Sequence, residues 1–119
     1  MKIQFPLAFI LLLFIGSNVF AQQKIKASDA KSHIGQKDTV TVVGKVFHIK
    51  TTEHAIFFDI DASYPDNPFT VIIFEKDMIS VGDVSKYDGK TIEITGIVTD
   101  HNSKPEIVVS NAKQLKLAQ

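Results

Sequence analysis

From Thr39 onward the chain alternates apolar and polar residues with a period of two, and Gly44 interrupts the first alternating run. No other feature limits the fold as much. Val40, Val42 and Val46 fall on one face of a strand, with Thr41, Val43, Lys45, Phe47 and Ile49 on the other. A glycine inside so long a strand predicts a bulge or a sharp bend, where one strand serves two sheets. Ala55–Asp61 forms a second strand, with Ile56, Phe58 and Ile60 facing one way and Phe57, Asp59 and Asp61 the other.

The rest of the chain continues in the same style. Ser63–Pro68 is a loop by composition, its two prolines bracketing Asp66-Asn67. Phe69–Glu75 is almost wholly apolar or β-branched, which suits a central strand. Lys76–Tyr87 breaks the alternation, and Met78, Ile79, Val81 and Val84 suit a short helix or turn under the sheet. Asp88-Gly89 marks a tight turn before a fourth strand, Thr91–Thr99, with Ile92, Ile94 and Val98 inward. Asp100–Pro105 is a hairpin loop, Glu106–Ser110 a fifth strand, and Leu115 and Leu117 in the tail close one end of the core. Ser28 or Asp29 can cap a short helix over about Asp29–Ile34, which Gly35 stops. The expected fold is all-β: a five-stranded OB-fold Greek-key barrel with a short N-terminal helix and a short helix or turn between strands three and four. A seven-stranded sandwich does not fit these spacings.

At 119 residues the chain holds one such domain. Met1 and Lys2 precede an unbroken apolar run, Leu7–Ile15, which is about half of what a membrane-spanning helix needs. Gly16-Ser17-Asn18 follows, and Val19-Phe20-Ala21 puts small residues where a signal peptidase reads. We therefore expect a signal peptide over residues 1–21, cleavage between Ala21 and Gln22, and a barrel domain over residues 22–119. No membrane span is expected after cleavage, and the domain should be exported to the periplasm or secreted, by a route compatible with a bacterium. The absence of cysteine excludes a disulfide scaffold, a thiolate nucleophile and a cysteine-ligated zinc site. All 13 basic residues are lysines; removing Lys2 leaves 13 − 1 = 12 against 13 acids. Without arginine, a dedicated phosphate or major-groove reader is disfavoured.

Ala27–Gly35 and Val40–Val46 together resemble the start of a group of exported bacterial OB-fold domains. The likeness continues through Phe57–Ile60, Tyr64–Ile73, Tyr87–Lys90, Thr95–Val98 and Lys104–Val109, with the Tyr64-Pro65 to Thr70 and Lys104–Ile107 pieces its most specific parts. That family is described as nucleic-acid-binding, tRNA-anticodon-binding-like. The resemblance implies the OB barrel, and by analogy of fold a nucleic-acid ligand; it carries over no catalytic residue.

The binding face of such a barrel is the outer side of strands two and three with the flanking loops. On that face we expect Lys45, Phe47, Lys50, Phe57, Tyr64 and Phe69, with Asn67 and Lys104 at the loops. Bases would stack on the rings, each worth roughly 1–3 kcal/mol, while lysines track phosphates. Phe57 and Phe69 are equally suited to a small barrel's core. Asp59, Asp61 and Asp66 lie beside the same groove and oppose a polyanion. Their alternation suits calcium, but the glycine and terminal glutamate of a calcium loop are missing; Asp59 fits better as an acceptor for amides of the following loop. His48 and His54 flank the first hairpin and could meet across it, although a solvated hairpin end is the commoner outcome. Glu106 could pair with Lys104 or Lys90 at the rim, although a rim turn with no ligand role is the commoner outcome. No serine sits in a triad or elbow setting, so neither catalysis, a cofactor nor a metal is expected. The expected activity is that of a non-catalytic exported module, binding single-stranded nucleic acid weakly and with little sequence preference. The alternative is an envelope or periplasmic module that binds a protein, peptide or saccharide.

Overall fold

The computed structural model describes residues 23–119; the expected signal peptide lies outside them. A short strand β1 (Lys24–Lys26) runs parallel to the long strand β2 (Val40–Thr51). β2 changes partner midway. Val40–Lys45 pair with β5 (Thr91–Gly96), whereas Val46–Thr51 pair with β3 (Ala55–Ile60). Gly44 sits at this hand-over because a Cβ there would overlap Ile60 Cγ2. The bulge itself falls at Phe47, the extra residue between the pairs Val46↔Ile60 and His48↔Asp59. Two inward positions of β2, Val46 and Ile49, are consequently three residues apart. Ile49 packs against the core and does not share a face with Phe47 as the simple alternation predicts.

β4 (Phe69–Phe74) pairs antiparallel with β3 and parallel with β7 (Lys104–Val108). β6 (Thr99–His101) and β8 (Leu115–Leu117) flank the two ends, giving the order β6-β7-β4-β3-β2-β5-β8 with β1 beside β2. The five strands expected from the sequence are β2, β3, β4, β5 and β7, in an OB arrangement; β1, β6 and β8 are additions. The expected fourth strand ends early, at Gly96; its last residue, Thr99, opens β6, which takes up Asp100 and His101 of the expected hairpin loop. Asn102 (φ 52°) and Ser103 (φ 67°) form the two-residue turn from β6 into β7, both in the left-handed region that such a hairpin requires.

The expected N-terminal helix is a 3-10 helix, Ala27–His33, which buries Ala27 and Ala30 against the barrel. Between β4 and β5 lie a 3-10 turn (Glu75–Asp77), the one-turn helix α1 (Met78–Val81) and a second 3-10 turn (Ser85–Tyr87). Val81, Val84 and Tyr87 are buried, and the Tyr87 ring meets that of Phe58 at 6.4 Å and 51°. Ile79 departs from expectation: it is 96% exposed, because a single helical turn can bury only one side. Phe58, Phe69, Ile73, Ile92, Ile94 and Ile107 fill the barrel interior.

β5 and β7 face each other without forming a ladder. At Gly96 a Cβ would meet Ile107 Cγ2 at 2.7 Å, so glycine permits their approach. The Gln114 side chain then bridges them. Its amide donates to Thr95 O (3.0 Å) and Val108 O (3.2 Å), while its carbonyl accepts from Ser110 N (2.8 Å) and Asn111 N (3.3 Å). Among the described residues no helix is long and apolar enough to cross a membrane.

Candidate ligand groove

The register of β2, β3, β4 and β7 sets His48 opposite Asp59, Asp59 opposite Thr70 and Thr70 opposite Glu106. Four strands thus contribute one row of polar side chains to the outer face. Lys50, opposite Phe57, begins a second row alongside. These residues floor a groove of about 790 Å³, walled by Ser63 and Tyr64 on one side and by His101 and Lys104 of the last hairpin.

Tyr64 stands 75% exposed at the wall. The Lys104 ammonium lies 5.4 Å from the centre of its ring, within cation–π range, and donates to Pro65 O (2.9 Å) and Asn67 Oδ1 (3.1 Å). Asn67 is 1% exposed, and its amide donates to Phe69 O (3.0 Å) and Thr70 Oγ1 (2.9 Å). It braces the loop from inside and presents nothing to a ligand, contrary to the sequence expectation. Lys104, being held by that brace, does not pair with Glu106.

The two carboxyls of the floor differ. Asp59 Oδ2 accepts from Tyr64 N (3.2 Å) and lies 3.6 Å from His48 Nδ1, so it is the loop acceptor expected of it. His54 pairs with Glu75 (3.3 Å); the two hairpin histidines do not meet. Glu106 is 8% exposed, and among the described residues no hydrogen-bond donor reaches its carboxyl. Burial pushes that carboxyl above the ordinary carboxylate range, a shift that the charge of His101 opposes.

Lys50, Phe57, Tyr64 and Lys104 are brought together on the groove. Phe69 is not: it is fully buried, because β4 turns Phe69, Val71 and Ile73 inward together opposite the inward residues of β3. Lys45 and Phe47 form a separate exposed pair at the bulge, with Lys45 Nζ 5.4 Å from the Phe47 ring and Lys45 N bonded to Asp61 Oδ1 at 2.8 Å. They do not line the groove. His48, Thr70, His101 and Glu106 do, and the sequence reading missed them as site residues. Thr70 and Glu106 could have been found by stepping one residue from the inward-facing Phe69 and Ile107. Among the described residues no group of three or more histidine, aspartate or glutamate side chains is placed to hold a metal ion.

No family model matches the chain, and no curated protein does. Solved structures do. The yeast Stn1 and Ten1 crystal structure aligns with a TM-score of 0.57 at 10% identity, over 85% of this chain and 65% of that one. An aspartyl tRNA synthetase from Entamoeba histolytica aligns at 0.47 and 14% identity, over 76% of this chain and 22% of the synthetase chain. This chain therefore spans less than two thirds of either neighbour. The first likeness establishes the OB-like fold.

Proposed function

We propose that this domain is a non-catalytic binding module that takes single-stranded nucleic acid into the groove, weakly and with modest sequence preference. The observation that carries this reading is the exposed Tyr64 ring, held in place by Lys104 above a groove that also contains Phe57 and Lys50. Bases have a ring to stack on, and phosphates have two lysines to follow. OB barrels bind oligonucleotides on this face, which is an argument from fold. Asp59 and Glu106 on the floor keep the binding weak, since they oppose phosphates.

Fluorescence anisotropy of the protein with a labelled oligothymidylate tests the reading. Binding at low salt should lie in the micromolar range, weaken as salt rises, and drop roughly tenfold in Tyr64→Ala, the effect of losing one stacked base. No binding at low salt overturns it.

A second reading is favoured by the same two carboxyls, which are good acceptors for sugar hydroxyls: an envelope module binding a saccharide, protein or peptide in the groove. Its binding would be nearly insensitive to salt. We also propose that the domain is exported, on the support of the apolar run Leu7–Ile15 and the small residues before Gln22. Cleavage there leaves β1 intact, and N-terminal sequencing of the secreted protein should begin at Gln22.

A further inference from the structure

We propose that Glu106 is the base-reading residue of the groove, and that the base it selects is guanine, held through the N1–H and N2–H donors of its pairing edge. The inference rests on the nucleic-acid reading above and adds a specificity to it.

The argument begins with the contrast between the two floor carboxyls. Asp59 is occupied, by the Tyr64 amide and by His48. Glu106, equally buried, has no donor among the described residues and lines the groove. Its oxygens are not sealed from the groove: among the described residues the only fully buried side-chain polar atom lacking a partner is His33 Nδ1, so donors on a ligand can reach the Glu106 carboxyl directly.

Position then restricts the ligand. Lys104 and Glu106 are two residues apart on β7, so they share a face at a separation of about 7 Å. Lys104 touches the Tyr64 ring. Tyr64 and Glu106 line the same groove, so on this proposal a base stacked on the ring turns its edge toward the carboxyl. Phosphates, repelled from an acidic floor, stay outside with Lys50 and Lys104.

The donor pattern selects the base. A carboxylate offers two acceptor oxygens and no proton. Guanine alone presents two adjacent N–H donors on its pairing edge; adenine, cytosine and thymine each place an acceptor there. An arginine side chain offers a similar fork, but Lys50 and Lys104 repel a cationic peptide from the same groove.

The test compares short oligothymidylates carrying one central guanine, inosine, adenine or cytosine, at low salt and neutral pH. Guanine should bind about tenfold more tightly than adenine or cytosine, in the range of one good bidentate pair, and inosine, which lacks the N2 amino group, should fall between. In Glu106→Gln the differences should shrink to about twofold, because an amide can pair with any of these edges, while binding of plain oligothymidylate is kept. Equal binding of all four oligonucleotides by the unmodified protein overturns the proposal and leaves the nucleic-acid reading standing. So does a guanine preference that survives in Glu106→Gln. Failure of every oligonucleotide to bind overturns both, as does preferential binding of an arginine-containing peptide.

Discussion

Lys104 and Asn67 are joined by a 3.1 Å hydrogen bond between an ammonium at the groove wall and a side chain only 1% exposed. Through this contact and the Lys104 bond to Pro65 O, the last hairpin and the 61–68 loop hold each other in place, and the Tyr64 ring with them. Asn67→Ala removes two donated bonds and one of the lysine's two acceptors, and takes the Asn67 donor from Phe69 O. The expected cost is about 2 kcal/mol, read as a lowered Tm, with faster amide exchange across residues 61–68. An unchanged Tm would mean that the loop is held from elsewhere.

Lys50 is exposed on β2 and, among the described residues, its side chain makes no hydrogen bond or ion pair, so it isolates the electrostatic part of binding. With Lys50 and Lys104 each meeting one phosphate, the logarithm of affinity should fall with the logarithm of salt at a slope of about −1.4. Lys50→Ala should bring that slope to about −0.7 without altering Tm. A slope near zero in the unmodified protein would favour an uncharged ligand.

Glu106 links the groove to pH. Because its folded-state carboxyl titrates above the ordinary range, the native state favours the protonated form. Its contribution to stability is full below the ordinary glutamate value of about 4.3 and is lost as pH rises through the folded value. Glu106→Gln should therefore melt above the unmodified protein at pH 7, and the difference should vanish near pH 4. A variant that melts lower at neutral pH would show that the carboxylate has a partner in the folded protein.

Barrel closure has its own test. Gln114→Ala removes the bridge between Thr95 O and Val108 O and should cost about 1–3 kcal/mol. Gly96→Val should cost at least as much, since its side chain would be driven into Ile107. Denaturant titration measures both.

The barrel was legible in the sequence because β5 alternates, β4 is a short, almost wholly apolar run, and β3 turns Ile56, Phe58 and Ile60 inward as expected. The face of β2 was not, because one extra residue at Phe47 moves every later side chain by one step, and a bulge has no composition of its own. Phe69 shows a different gap. An aromatic at the start of a strand suits both core and surface, and only the pairing with Ile60 decides. Asn67 next to two prolines has the composition of a solvated turn, yet tertiary contacts bury it. The groove's polar row is a product of register across four strands, and register is a relation between distant segments that local pattern does not contain.

The Gln114 bridge also imposes an order on biosynthesis. β5 and β7 have no ladder of their own, and their Thr95 and Val108 carbonyls meet a common donor only through residue 114. A nascent chain that has emerged as far as β7 holds all five barrel strands but lacks the side chain that fastens the seam. Closure of the seam should therefore wait for residue 114 rather than follow β7 directly.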